Sequence, residues 1–348
     1  MNGKARIAIV GYGVIGRRVA DAVSLQPDME VVGVAGRPIS VSLRDAQLHG
    51  YDVFVTDQVN DGSAACRCTG VQGRFEDLLD QSDVLLDCTP SGVPRERVAL
   101  YDRYRQLVVI VQGGEKHAFG GVSFNAFANY AEAVGQRRIR VISCSSTGIT
   151  RFVFALDQAF GLQRAFMALS RRAADPGKPS KTPCNALEPT MGPSHHAPDV
   201  QTVLPHLELL SMSVDIPTTF GHVISFQADV QRDVDEAEVI KALNGLPRIV
   251  VGQGLNSTAA WAEYFQDLGR SRRDRPEIYV WEQSVAVTAR TVYATIGVHM
   301  ESITIPDTVD CVRAALDLES DNWVSIRQTD CALGIAKDPD CYRSHVPR

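Results

Sequence analysis

The sequence predicts an α/β chain of two domains: a parallel-sheet domain first, then an α+β domain with a mixed or antiparallel sheet. Three observations carry this. The 348 residues exceed one small domain and suit about two. The first half alternates short, wholly apolar runs with helical patterns, the signature of βαβ units. The second half alternates apolar and polar residues over longer runs, as strands with one wet face do.

In chain order, Arg6–Val10 reads as a buried strand, and Val14–Leu25 carries Val14, Ile15, Val19, Ala22 and Val23 near helical spacing. Glu30–Ala35, Asp83–Cys88, Leu107–Val111 and Ile139–Ser143 continue the strand series. A helix is expected over Ile149–Phe160, with Ile149, Phe152, Val153, Leu156 and Phe160 on one stripe. Strands follow at Arg164–Ser170, Thr219–Val230, Pro276–Thr288 and Val292–Ile305, with helices at Val234–Leu243, Thr258–Leu268 and Val309–Leu318. Between them, Ala173–Asp199 holds six prolines and no periodicity, a length of loop usually kept for function or for an inter-subunit arm.

A net charge of −6 argues against nucleic acid or an anionic membrane as the main partner, so an anionic ligand needs a local cluster of cations. No window is long and apolar enough for a membrane span, and Met1–Val10 lacks an apolar signal core. The eight cysteines show no disulfide ladder, and the one close pair, Cys66 and Cys68, has no counterpart at zinc-site spacing; a cytoplasmic chain with reduced thiols and no metal is expected.

Gly11-Tyr-Gly-Val-Ile-Gly16 is a G-x-G-x-x-G run between the first strand and the first helix. In that context Gly11, Gly13 and Gly16 let the backbone turn and approach a pyrophosphate at a helix N-terminus, which points to a Rossmann domain binding a dinucleotide. The second strand ends in Ala35-Gly36-Arg37-Pro38 where an acidic residue would hold a ribose hydroxyl. Arg37 therefore permits a 2′-phosphate, and NADP or NAD is expected.

Ser143-Cys144-Ser145-Ser146-Thr147-Gly148 precedes the Ile149–Phe160 helix. A cysteine at a helix N-terminus has its thiolate favoured, and neighbouring hydroxyls can cap the helix or donate to an oxyanion. Cys144 is the expected nucleophile, and Cys88, inside an apolar strand, a structural thiol. Arg171-Arg172 and Ser194-His195-His196 together suit a small phosphate, although arginine pairs are commonly surface charges and histidine pairs commonly metal ligands. His222 stands alone in an apolar run, where it reads either as a core group or as the base a thiol nucleophile needs.

These runs, with Asp87-Cys-Thr-Pro-Ser-Gly92, Gln112-Gly-Gly-Glu-Lys116, Ser123-Phe-Asn125, Ala128-Asn-Tyr130, Asp175-Pro176, Pro198-Asp-Val200, Pro217-Thr-Thr219 and Leu333-Gly-Ile335, resemble the archaeal-type (class II) glyceraldehyde-3-phosphate dehydrogenases from Lys4 to Lys337. The resemblance implies a Rossmann domain of residues 1–143 plus about 306–337, with C-terminal helices returning to it, a catalytic domain of 144–305 and a tail of 338–348. It implies a homotetramer that oxidises a small phosphorylated aldehyde with inorganic phosphate and NAD(P). Cys144 would form a thiohemiacetal and then a thioester, with His222 taking the proton. Arg171, Arg172, His195, His196 and Thr147 would contact anions beside Ser143 and Ser145. Val14, Ile15 and Gly114 would touch the nucleotide, Arg172 would also bind the cofactor, and Met300 would lie toward its nicotinamide side.

The chain also departs from that pattern. Val10 and Val14 replace Asn and Thr around the glycine run, Ser145 follows the nucleophile in place of Asn, and Ile224 stands where a second histidine is usual. Met300 replaces Gln, and Asp330 replaces Asn. These changes retune the cofactor surround and suggest a specialised member. The competing readings are a thiol-dependent semialdehyde dehydrogenase or acyl-phosphate reductase, which the arginine–histidine cluster disfavours, and a non-catalytic regulator, which an intact Cys144 and His222 disfavour.

Overall fold

The computed structural model describes residues 3–38, 40–56, 70–112, 114–173 and 186–337. Cys66, Cys68, Cys184 and Cys341, most of the proline-rich segment with Asp175 and Pro176, and the 338–348 tail lie outside the described residues.

The chain begins β1 (Ala5–Val10), α1 (Val14–Ser24), β2 (Met29–Gly36), α2 (Val41–Leu48), β3 (Val53–Val55), β4 (Val71–Arg74), α3 (Phe75–Asp80), β5 (Val84–Asp87), α4 (Val93–Glu96), α5 (Val98–Tyr101), β6 (Val108–Val111), β7 (Val122–Phe124) and β8 (Arg138–Val141). It continues α6 (Cys144–Phe160), β9 (Leu162–Arg172), β10 (Glu188–Pro189), α7 (His196–Gln201), β11 (Glu208–Ile216), β12 (His222–Val230), α8 (Glu236–Asn244), β13 (Ile249–Gly252), α9 (Thr258–Asp267), β14 (Ile278–Trp281), β15 (Ala286–Thr288), β16 (Thr291–Val298), α10 (Ile305–Ala315) and α11 (Asn322–Ala332).

Two compact units result. The first takes the chain up to Phe124 with Tyr130–Val141 and Asp307–Leu333; the second takes Asn125–Asn129, Ile142–Pro306 and the chain from Gly334. The first unit is an all-parallel sheet in the order β4-β3-β2-β1-β5-β6-β8-β7. Its central strands are buried on both faces, which is why β1, β5 and β6 read as unbroken apolar runs. Strand order reverses between β1 and β5, the place where such sheets bind ligands.

The last helices join this unit through one buried cation. Arg313 donates to the Asp28 carboxylate at 2.7 and 2.9 Å, to Gln26 Oε1 at 2.7 Å and to Thr329 Oγ1 at 2.6 Å. A buried guanidinium requires such partners, so α10 and α11 are held at the start of β2 by charge as well as by packing.

The second unit is a mixed sheet in the order β10-β11-β9-β12-β16-β14-β13, with β15 on β16. The run from β9 through β12 and β16 to β14 is antiparallel, whereas β11 joins β9 and β13 joins β14 in parallel. Helix α6 lies on this sheet: a Cβ added at Gly148 would stand 2.6 Å from Val298 Cγ2, so glycine permits the approach.

Four expectations are corrected. The helix expected from Ile149 begins at Cys144, because Ser143 caps it, its Oγ accepting the Ser146 N–H at 3.4 Å. The single strand expected over Pro276–Thr288 is split by a 3-10 turn at Glu282–Ser284, where Ser284 Oγ donates to Trp281 O and accepts from Thr295 N–H. The strand from Val292 stops at Val298, with the Ser302 N–H turning back to His299 O before α10 begins at Ile305. Cys88, Cys144 and Cys311 are free thiols, but Cys331 is disulfide-bonded, unlike the reduced thiols expected.

Candidate active site

In the first unit the glycine run closes the end of β1. Gly11 has φ +88°, which favours glycine, and a Cβ on Gly16 would stand 2.0 Å from Gly11 O. Gly13 caps α1 without a side chain, and a Cβ there would meet nothing within 4 Å. The N–H groups of Val14 and Ile15 therefore face an open cradle of the kind a pyrophosphate fills. Arg17 stacks 5.8 Å from the Tyr12 ring and pairs with Asp45 at 3.3 Å. Arg37 is exposed just beyond β2, and Gly114 lies 3.5 Å (as a built Cβ) from Ser91. Val10 is fully buried in β1 and Asp330 is buried in α11. The glycine turn and the helix N-terminus fit a dinucleotide.

In the second unit Cys144 is the first residue of the 17-residue α6. Its Sγ lies 3.9 Å from Nε2 of His222, the first residue of β12. His222 Nδ1 accepts the backbone N–H of Arg172 at 3.0 Å. Nδ1 thus presents its lone pair, and in the neutral ring the proton sits on Nε2, toward sulfur. Burial, then Arg171, Arg172 and His196, hold the His222 pKa well below 6.5. An imidazole in this tautomer directs its Nε2–H toward sulfur.

Burial also pushes the Cys144 thiol above the ordinary cysteine value, although the Ser145 N–H and hydroxyl and the charges of Arg171 and Arg172 pull it down. Burial thus opposes the thiolate that a helix N-terminus and these donors favour. Cys88 is pushed up further by burial and Asp87, as a structural thiol would be.

Around Sγ the expected anion contacts divide. Arg171 faces the side of His195 and His196: its charge lowers the His196 pKa, which burial brings down to about 3. The two imidazoles stack at 4.1 Å, and His196 Nδ1 meets Ser194 Oγ at 3.0 Å. Arg171 lies 3.7 Å from Asp215, and its buried Nε has no hydrogen-bond partner among the described residues. That orphaned donor suits an anion. Arg172, the next residue of the strand, points elsewhere. Its side chain is 1% exposed and bonds Glu301 Oε1 at 2.5 Å, Thr219 O at 3.1 Å and Met300 Sδ at 3.1 Å. These protein partners fix its side chain. Thr147 is also buried, its hydroxyl donating to Ile142 O at 3.4 Å. Ser143 is held by its N–H to Asp199 at 3.3 Å and by Ser146 Oγ at 2.8 Å. Ile224 is fully buried two residues after His222, on the same side of β12.

Glu301 escaped sequence reasoning. Its signal was a carboxylate directly after Met300, between the apolar Ile296–Val298 run and Ile303, where burial demands a cationic partner. Among the described residues no group of three or more His, Cys, Asp or Glu could hold a metal ion.

The comparisons with known proteins bear on the same residues. The family model described as glyceraldehyde 3-phosphate dehydrogenase, C-terminal domain, matches residues 143–262, the stretch holding Cys144, Arg171, Arg172, His195, His196 and His222. The chain is 39% identical over 335 residues to "Glyceraldehyde-3-phosphate dehydrogenase 2" of Methanosarcina barkeri, covering 95% of this chain and 98% of that protein. It is 39% identical to the enzyme of that name from Methanobacterium bryantii (94% and 99% covered) and 40% to that of Methanococcoides burtonii (95% and 99%). Similarity of that depth over nearly the full length of both chains, with the thiol–imidazole pair in the matched segment, means that the chain belongs to the archaeal-type glyceraldehyde-3-phosphate dehydrogenase family.

Proposed function

We propose that the protein catalyses the phosphorylating oxidation of glyceraldehyde 3-phosphate, or a close phosphorylated aldehyde, to an acyl phosphate, with NADP or NAD as hydride acceptor. The observation that carries this is Cys144 at the head of α6, 3.9 Å from a neutral His222, beside the partly exposed Arg171. The Cys144 proton leaves to solvent. The thiolate attacks the aldehyde carbon, forming a C–S bond and an oxyanion, to which the Nε2–H of His222 and the Ser145 donors are directed. When bound, the nicotinamide accepts the hydride, and the carbon is left as a thioester. Inorganic phosphate then attacks the thioester, the C–S bond breaks, and Cys144 returns as thiolate. Arg171, His195 and His196 hold the phosphate groups. Gly11, Gly13, Val14, Ile15, Gly16 and Gly114 would hold the dinucleotide, with Arg37 toward its ribose.

The assay that tests this follows absorbance of reduced cofactor while crossing NADP and NAD with phosphorylated aldehydes, with and without phosphate. Turnover is expected only with a phosphorylated aldehyde and to depend on phosphate. Equal turnover without phosphate would leave an aldehyde dehydrogenase of another kind.

The protein is read as a cytoplasmic homotetramer. Among the described residues no helix is long and apolar enough to cross a membrane. One sheet face supports self-association: Leu210, Phe166, Gln227 and Tyr293 are direct cross-strand neighbours on β11, β9, β12 and β16. Three of the four are large and exposed, and Met212 extends the patch. Light scattering should give four chains per particle, and Leu210→Glu with Phe166→Glu should lower that number; a monomeric parent protein would overturn the reading.

A further inference from the structure

The residue next to Met300 connects to the thiol through two others. Glu301 is buried, and its Oε1 takes the Nη1 of Arg172 at 2.5 Å; its other oxygen lies 3.2 Å from Nε2 of His299, whose Nδ1 meets Ser302 Oγ at 2.6 Å. The same Arg172 Nη1 reaches Thr219 O at 3.1 Å, three residues before His222, and the Arg172 N–H bonds His222 Nδ1 at 3.0 Å. One arginine thus grips the approach to β12 with its side chain and the imidazole with its backbone. A guanidinium this deeply buried keeps its place only while a carboxylate balances it. The adjacent Arg171, 30% exposed and paired loosely with Asp215, has no such tether.

We propose that Glu301 is a positioning residue for the reaction: its buried carboxylate fixes Arg172, and Arg172 in turn holds His222 with Nε2–H aimed at Cys144. The inference rests on Cys144 being the nucleophile, as proposed above. It assigns the two arginines separate work, Arg171 on the substrate's anionic groups and Arg172 on the imidazole. It also gives the Arg172–Met300 contact a meaning, since Met300 Sδ completes the cradle of the same guanidinium.

The test is Glu301→Gln in the full chain, nearly the same in shape but without the charge. Three quantities are read: the rate of alkylation of Cys144 by iodoacetamide at fixed pH, followed by peptide mass; kcat; and KM for aldehyde and phosphate. Misplacing a catalytic group by about 1 Å costs up to about 100-fold, so alkylation and kcat should fall together by roughly 10–100-fold. Both KM values should stay within about threefold, because the anion contacts are untouched. Glu301→Asp, which keeps the charge on a shorter stem, should recover part of both rates, and it carries the comparison with the parent if the Gln variant does not fold. Alkylation and kcat unchanged in the variant, or a loss confined to KM, would overturn the role of Glu301. A parent protein whose Cys144 neither alkylates nor turns over would instead overturn the nucleophile assignment.

Discussion

Cys144→Ser is expected to lower hydride transfer by roughly 10⁴–10⁶-fold, because a hydroxyl supplies neither the nucleophile nor the leaving group that the thioester requires. Absorbance of the reduced cofactor measures it, and turnover retained within tenfold would remove Cys144 as nucleophile. The pH dependence of the parent thiol has a definite sign. Burial raises the Cys144 thiol, so the thiolate is gained as pH rises and lost as it falls. His222 faces Arg171, Arg172 and His196, all of which oppose its protonation, so it stays neutral at and above its ordinary titration range. Alkylation of Cys144 should therefore climb through neutral pH, with no inflexion near about pH 6.5 where an ordinary imidazole titrates. A plateau of high reactivity below neutrality would reveal a thiolate–imidazolium pair and sink the neutral-His222 reading.

The second large effect concerns Arg171. Arg171→Gln should weaken binding of the phosphorylated aldehyde or of inorganic phosphate, by about 2–5 kcal/mol if the bound anion buries the charge pair. Steady-state KM for each, measured separately, reports it; the change should appear in KM more than in kcat at saturation. Unchanged KM values for both would remove Arg171 from the anion site. The contrast with Glu301→Gln, where kcat is expected to move instead, distinguishes the two neighbouring arginines by kinetics as their side chains distinguish them in space.

Much of this was legible in the residues themselves. The parallel sheet followed from apolar runs such as Ile7–Val10, and the glycine turn from its place between strand and helix. Strand β11 was not legible, and for a physical reason. Its buried positions include Ser211 and Ser213, whose hydroxyls bond Ser194 and Thr190, while Leu210 and Met212 face out. That inverts the apolar-inside pattern on which strand reading depends. At the site, Cys144, Arg171 and His222 were readable from residue type and position. The state of His222 was not, because it is set by a backbone N–H fifty residues away, and the role of Arg172 was hidden because alternation along β9, not sequence adjacency, decides where a side chain goes. Sequence position alone likewise favoured a thiolate at the helix head, whereas the burial that opposes it is a property of the packed unit.

The grip of Arg313 on Asp28 has a bearing on how the chain is made. The two residues are 285 positions apart, so the first unit lacks its closing helices until the sheet of the second unit has been synthesised. At about 5–20 residues per second, Asp28 waits roughly 15–60 s for its partner. Over that interval the surface that α10 and α11 will cover is exposed on the nascent chain, while the second unit, encoded in between, emerges and can close around its own sheet first. The N-terminal unit is thus completed only after the sheet of the second unit has been made.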